Sequence, residues 1–549
     1  MKKKFSVLVG LVVLFSLILS ACVPSATSSN GAPLGKFAIE SGSGGKLYLD
    51  NDSEVQQLVK TASKTDIYSI FSGTGKIKNN FLAASKSDGA YKDAMAFMPE
   101  APFWIPSTYS GDSIATSKMV LGVTKEFLIK NGLKPGDVVN FSQIEGWINN
   151  HELELSLCNP TQCNSGALFY FSDLAYFSNT STLDVSLTTN QEVTTRAQSL
   201  VANIDITTSS TGDARKEFEK SLKDKDGVYN AIFSYEPEVA ALNASLISSK
   251  LEPVYVLYVD KAIDATQTLV MSPAFKDDIN IKDQYARVKN ALVSKDIQKK
   301  ISEISGWRSV VYGVPFSPVL KAEWGFLEDP QVTAALAPKY EVAMPLLKTY
   351  VQKVRKPVVL MFFLDFSGSM RNNNGYDQLI AASKKIFDQE TASTDFLDAR
   401  EGDFIQVFLF DNTCVALPVV NGVDPQGYKN LLTSITTSNM QGNTFMYACG
   451  KTGLEQMKAN YAQLCSTTHN CGFVFLTDGG DNQCRQSPDS CITAQAFNDA
   501  KTSLGLESVP IWVVPFTDKV DKNQINAIKS VKVCQDTLEA CFKSIKGSR

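Results

Sequence analysis

Four unbroken apolar runs stand out in the last third of the chain: KPVVLMFFLD (356–365), DFIQVFLFD (403–411), CGFVFLTD (471–478) and VPIWVVPF (509–516). Continuous apolar character, rather than strict alternation, is what a strand buried on both faces shows. Stretches of helical pattern separate the runs, at 376–391, 444–464 and 492–504. Strand and helix in alternation predict an α/β fold with a doubly wound parallel sheet. Such sheets place their ligands outside the carboxyl ends of the strands, so the residues just after each run become the candidates for chemistry.

Earlier in the chain the pattern is less regular. MVLGV (119–123) leads into a helical pattern, as a strand feeding a helix does, and Asn164, Ser165 and Gly166 before an apolar stretch fit a helix start. Pro315, Pro318, Pro330, Pro338 and Pro345 punctuate 315–355, which reads as a linker, and no fixed-period repeat is apparent. At the very start, Lys2, Lys3 and Lys4 precede an apolar run from Val7 to Leu19, too short to span a bilayer and typical of a secretory signal. It closes on Leu19, Ser20, Ala21 and Cys22, which resembles a bacterial lipoprotein box with Cys22 as the lipidated residue. That resemblance implies diacylation, palmitate included, a membrane tether and a body facing the extracytoplasmic side. Residues 22–35 are rich in Ser, Pro, Gly and Ala, a flexible spacer. No later stretch is long and apolar enough to cross a membrane.

Length and cysteine count sharpen this. At 549 residues the chain exceeds what one hydrophobic core supports, so two or more globular units are expected. Without the three leader lysines, 50 basic residues face 57 acidic ones, which points away from a nucleic acid partner. Of 11 cysteines, ten remain once Cys22 is set aside, an even number that fits a disulfide framework in an exported protein. Spacings of five to seven residues allow local bridges for Cys158 with Cys163, Cys465 with Cys471, Cys484 with Cys491 and Cys534 with Cys541, leaving Cys414 and Cys449 to each other. Sequence alone does not fix connectivity. A zinc site is the rival reading, but there is no CxxC pair and only two histidines, His151 and His469.

The chemistry concentrates at the predicted strand ends. DFSGS supplies Asp365, Ser367 and Ser369, QGNT supplies Thr444, and LTDGGD supplies Asp478. All five are hard oxygen donors, suited to a small divalent cation, magnesium first and manganese or calcium as alternatives. A domain in which DFSGS is only a capped strand-to-helix turn is the plainer reading of that run taken alone. Arg371, Asn372, Asn373 and Asn374, with Asp481 and Asn482, flank the set as candidates for reading a partner.

In this order the five donors resemble the metal-ion-dependent adhesion site of a von Willebrand factor type A domain, covering roughly 356–549. The resemblance implies direct coordination by the hydroxyls of Ser367 and Ser369, a direct or water-mediated contact from Thr444, and partly water-mediated roles for Asp365 and Asp478. A coordination position is left for the carboxylate of an acidic protein partner. Residues 36–314 resemble a two-lobed extracellular or periplasmic solute-binding protein. The elements carrying that resemblance are YKDAMAF (91–97), 116–133, NPTQCNSGAL (159–168), FSYEPEVAALN (233–243), LEPVYVLYVD (251–260) and GWRSVVYG (306–313). It implies a small solute held near Ser41, Ser72 and Tyr235 with Glu236 on lobe one, and Ser165 on lobe two.

Enzyme readings find little support. No GxSxG, HExxH or GxxxxGK[ST] is present, and the two histidines sit far apart in Asn-rich surroundings. The expectation is a non-enzymatic, lipid-anchored binding protein of the cell envelope. It comprises a signal peptide (1–21), a tether (22–35), a two-lobed solute-binding-like domain (36–314), a linker (315–355) and a Rossmann-like cation-dependent domain (356–549). The alternative is a transport-linked solute receptor whose second domain is structural.

Overall fold

The computed structural model describes residues 35–547 apart from 87–89, 207, 373, 479, 487–490, 517–520 and 535–537. The leader, Cys22 and Asn373 lie outside the described residues.

Strands β1 (Phe37–Ser41), β2 (Ile67–Phe71), β3 (Ala96–Met98) and β4 (Asp112–Ser117) belong to a first sheet. β5 (Met119–Val123), β6 (Val138–Val139), β7 (Leu155–Ser156), β8 (Ala231–Tyr235) and β9 (Tyr255–Val259) make a second, and β10 (Ala265–Met271) and β11 (Arg308–Ser309) return to the first. The strand orders are β11-β4-β10-β3-β1-β2 and β6-β9-β5-β8-β7. The chain thus crosses between sheets after β4 and again before β10, giving a two-lobed body with a short paired hinge. Lys118 in one crossing and Asp264 in the other form an ion pair at 2.7 Å.

Residues 356–549 build the third sheet from β12 (Val358–Asp365), β13 (Phe404–Phe410), β14 (Cys414–Ala416), β15 (Val420–Asn421), β16 (Asn470–Thr477), β17 (Ile511–Pro515) and β18 (Val531–Val533). The order is β14-β13-β12-β16-β17-β18, with β12, β13, β16, β17 and β18 parallel and β14 and β15 antiparallel on β13. Alternate residues of β12 feed two separate cores: Val358, Leu360, Phe362 and Leu364 on one face, Val359, Met361 and Phe363 on the other. Phe363 stacks against Phe408 and Phe475 with ring centroids 4.9 and 4.4 Å away. Burial on both faces is the physical reason the runs are unbroken.

The proline-punctuated stretch 315–355 is packed, which differs from the linker expected of it. Leu320, Trp324 and Phe326 are buried against the second sheet. The helix Tyr340–Thr349, with Pro345 inside it, buries Ala343, Leu346 and Leu347 in the core of the first module. The prolines bend this segment over the module's surface; they do not free it. It ends at Arg355, whose guanidinium forms a buried two-pronged bond to Asp403 just before β13, at 3.0 and 2.5 Å.

All ten remaining cysteines pair as the spacing allowed: 158 with 163, 414 with 449, 465 with 471, 484 with 491 and 534 with 541, with Cα separations from 4.7 to 6.2 Å. Among the described residues, no group of three or more His, Cys, Asp or Glu is placed to hold a metal, so the zinc reading finds no cluster there.

Candidate functional site

In the third sheet β12 is central, with β13 on one side and β16 on the other. The chain runs outward from β12 to β13 and returns to the opposite side, so the carboxyl ends of β12 and β16 form the topological switch point. Asp365 ends β12 and Asp478 follows β16 directly. Oδ1 of Asp365 accepts from the Ser367 amide at 2.9 Å, and its Oδ2 accepts from the Thr477 hydroxyl at 2.5 Å. The hydroxyls of Ser367 and Ser369 lie 3.0 Å apart, and that of Ser369 donates to Asp478 Oδ1 at 2.9 Å. Four of the five expected donors are thereby joined in one hydrogen-bonded chain.

Thr444 reaches the same edge by its own loop. Its amide donates to the Asn482 side chain and its carbonyl accepts from the Asn482 amide, both at 2.9 Å. The loop is tied to DFSGS by the Gly368 amide on the Gly442 carbonyl at 3.0 Å. It is tied to β13 by Asp411, whose Oδ2 accepts from the Gly442 amide and whose carbonyl accepts from the Phe445 amide, each at 2.9 Å. Thr477, Asp411 and the positioning role of Asn482 were not singled out in the sequence. Asp411 ends the strand beside β12, and that register was the available signal.

Burial pushes the Asp365 carboxyl up to about 6, with the Asp478 charge adding to it and the bonds from Ser367 and Thr477 opposing. Two acidic side chains held together at a buried edge, with hydroxyls between them, are a donor set a hard divalent cation fits. Among the flanking residues, Arg371 donates to the Asn439 side chain at 2.7 Å and lies over the Tyr376 ring, and Asn374 precedes the helix Gly375–Phe387 with φ 59° and no side-chain capping bond. Asp481 is turned inward, accepting from the amides of Tyr447 and Gln483 at 2.9 Å.

The residues expected to hold a solute are placed differently. Helices α1 (Thr74–Ala84), α2 (Asn164–Phe177) and α3 (Thr211–Asp224) all begin near the junction of the two lobes. Ser41 ends β1 and Ser72 follows β2, on lobe one as expected. Tyr235 ends β8 in the second sheet, so it and Glu236 belong to lobe two, which corrects the expected assignment. Ser165 lies in the first turn of α2, with its hydroxyl 3.0 Å from both Cys158 Sγ and the Thr211 hydroxyl. Tyr235 is fully buried, its ring 5.5 Å from that of Trp307. Glu236 brackets the hinge: it accepts from Arg308 Nε and Nη2 at 2.7 and 2.8 Å, from the Tyr258 hydroxyl at 2.8 Å and from the Lys118 amide at 3.3 Å. With those four donors its carboxylate is committed to structure.

The fold and sites define a two-lobed α/β body joined to a doubly wound α/β domain with an oxygen-rich strand edge. No family model and no curated protein matches the chain. Solved structures similar to it include the periplasmic binding protein P5PA, at 13% identity, 58% of this chain, 100% of that chain and a TM-score of 0.40. The periplasmic binding protein AfuA from Actinobacillus pleuropneumoniae, with exogenous fructose-6-phosphate bound, is similar at 11% identity, 59% and 99% coverage and a TM-score of 0.40. Maltose-bound MalE3 from T. maritima is similar at 14% identity, 58% and 93% coverage and a TM-score of 0.41. Similarity at that level bears on neither the ligand nor the partner of this chain.

Proposed function

We propose that residues 356–549 form a divalent-cation-dependent binding head of the von Willebrand factor type A kind, held outside the cell by a lipid anchor at Cys22. The observation that carries this reading is the convergence of Asp365, Ser367, Ser369 and Asp478 in one hydrogen-bonded chain at the β12/β16 switch point, with Thr444 clamped beside them. An oxygen-only donor set with two carboxylates suits magnesium, with manganese or calcium as substitutes. When bound, the cation supplies a Lewis-acid position for the carboxylate of an acidic protein partner. The chain's own residues do the positioning. Asp365 is fixed by Thr477 and the Ser367 amide, and Ser369 is aimed by Asp478. Asn482 holds the Thr444 backbone. Among the described residues no nucleophile and base pair accompanies the donors, which favours a grip over a catalytic centre.

The test is capture of an acidic partner from envelope extract by the full chain. Capture that requires magnesium, fails in EDTA and fails in Asp365→Ala supports the reading; capture unchanged under all three conditions overturns it. A second reading, a solute receptor with a structural second domain, draws on the hinged two-lobed body and its converging helix starts. Under that reading, calorimetry with a solute panel shows saturable binding in EDTA.

A further inference from the structure

Strand β1 lies between β2 and β3 in a parallel trio, so the carboxyl end of β1 is the switch point of lobe one, where a ligand of this architecture would sit. The donors there are the Gly44 amide, in the short turn Ser43–Gly45 after β1, and the Thr74 hydroxyl and Gly75 amide at the start of α1. Each already has an acceptor from the chain itself. Glu100, which follows β3 and is 1% exposed, accepts from the Gly44 amide through Oε1 at 3.0 Å and from the Thr74 hydroxyl through Oε2 at 3.1 Å. The backbone carbonyl of Gln162, from the other lobe, accepts from the Gly75 amide at 2.8 Å. Glycine is required where these groups arrive: a Cβ on Gly42 would lie 1.9 Å from Glu100 Oε1, and one on Gly75 would lie 2.7 Å from the Thr161 carbonyl.

Lobe two is likewise satisfied from within. The Gly166 amide at the start of α2 donates to Cys163 Sγ, and the Asp213 amide at the start of α3 donates to the Ser210 hydroxyl. The lobes touch directly, for a Cβ added to Gly212 of α3 would sit 3.3 Å from the Ser43 Cβ. Trp307 closes the remaining side, its Nε1 donating to the Gly44 carbonyl at 3.0 Å and its ring against Tyr235.

We propose that the first module is a self-liganded receptor: the Glu100 carboxyl fills the donors of lobe one from within that lobe, and the Gln162 carbonyl, bonded across the junction to the Gly75 amide, holds the lobes shut without a solute. The closed junction then serves as a seat for the binding head. The carboxy-terminal helix Leu538–Gly547 lies on the loop that closes it, with the Gln162 side-chain amide donating to the Ala540 carbonyl and that of Asn159 to the Lys543 carbonyl, both at 3.2 Å. Gln162 therefore ties lobe one through its backbone and the third sheet's domain through its side chain. This inference is independent of the cation site and stands against the solute-receptor reading.

The experiment is thermal unfolding of the full chain in EDTA, titrated with acetate, sulfate and phosphate. Wild type is expected to show no saturable shift with any of the three. Glu100→Ala is expected to melt lower and to regain stability saturably with acetate, which restores the missing carboxyl. Saturable stabilisation of wild type, or a Glu100→Ala variant that melts like wild type, overturns the proposal. So does a Glu100→Ala variant that melts lower but gains nothing from acetate. Should Glu100→Ala fail to fold, Glu100→Ser, which leaves the same carboxyl position empty while keeping a polar group beside it, is read by the same criteria.

Discussion

Asp365 depends on Thr477, a neighbour outside the proposed donor set. Thr477→Val keeps the shape of the side chain but leaves Asp365 Oδ2 without its 2.5 Å partner at a fully buried position. The expected outcome is a loss of about 1–3 kcal/mol in urea unfolding, together with magnesium binding weaker by roughly 10–100-fold. Glu100 gives a pH signature. Burial pushes its carboxyl up to about 7, against the bonds from Gly44 and Thr74, whereas an unfolded glutamate titrates near 4.5. The folded chain therefore holds more protons across that window. Stability from this group is full below about pH 4.5 and is lost as pH rises through about 7. Urea midpoints in EDTA between pH 5 and 8 should fall more steeply for wild type than for Glu100→Gln. Single residues were unevenly legible in the sequence. The residues from Asp365 to Asp478 are local motifs at strand ends, so their meeting at one sheet edge could be read directly. Whether Glu236 faces a cleft or brackets a hinge depends on Arg308, 72 positions away, and no local pattern records that.

At the scale of elements, β12 is the axis on which the site is built. Phe363→Ala would empty a position stacked on both sides and is expected to cost about 3–5 kcal/mol in unfolding free energy. The bridges differ in the length of chain they close. Loss of Cys414–Cys449, which spans 35 residues and anchors the start of the helix Met446–Thr467 beside the Thr444 loop, should cost about 4 kcal/mol on the loop-entropy account. Loss of Cys534–Cys541, which spans 7, should cost about 2 kcal/mol on the same account. Paired Cys→Ser variants compared by urea unfolding check the ranking. The central strands were legible because burial on both faces writes an unbroken apolar run: the expected 471–478 became Asn470–Thr477. The segment 315–355 was not, because prolines mark bends equally in a free linker and in a strap packed on a core.

At the scale of the molecule, a two-lobed body carries a doubly wound domain whose oxygen-rich edge is the proposed binding head. The division into two bodies followed from length and from the change in apolar pattern. Their joining did not, because it rests on long-range contacts such as Arg355 with Asp403 and Asn159 with the carbonyl of Lys543. Isothermal titration of magnesium into the full chain, with Asp478→Ala as the comparison, tests the central claim most directly. The account predicts one saturable site in wild type and binding weakened by roughly 10–100-fold in the variant, the scale on which loss of a group supporting a metal site weakens affinity. Indistinguishable isotherms from the two proteins would contradict it.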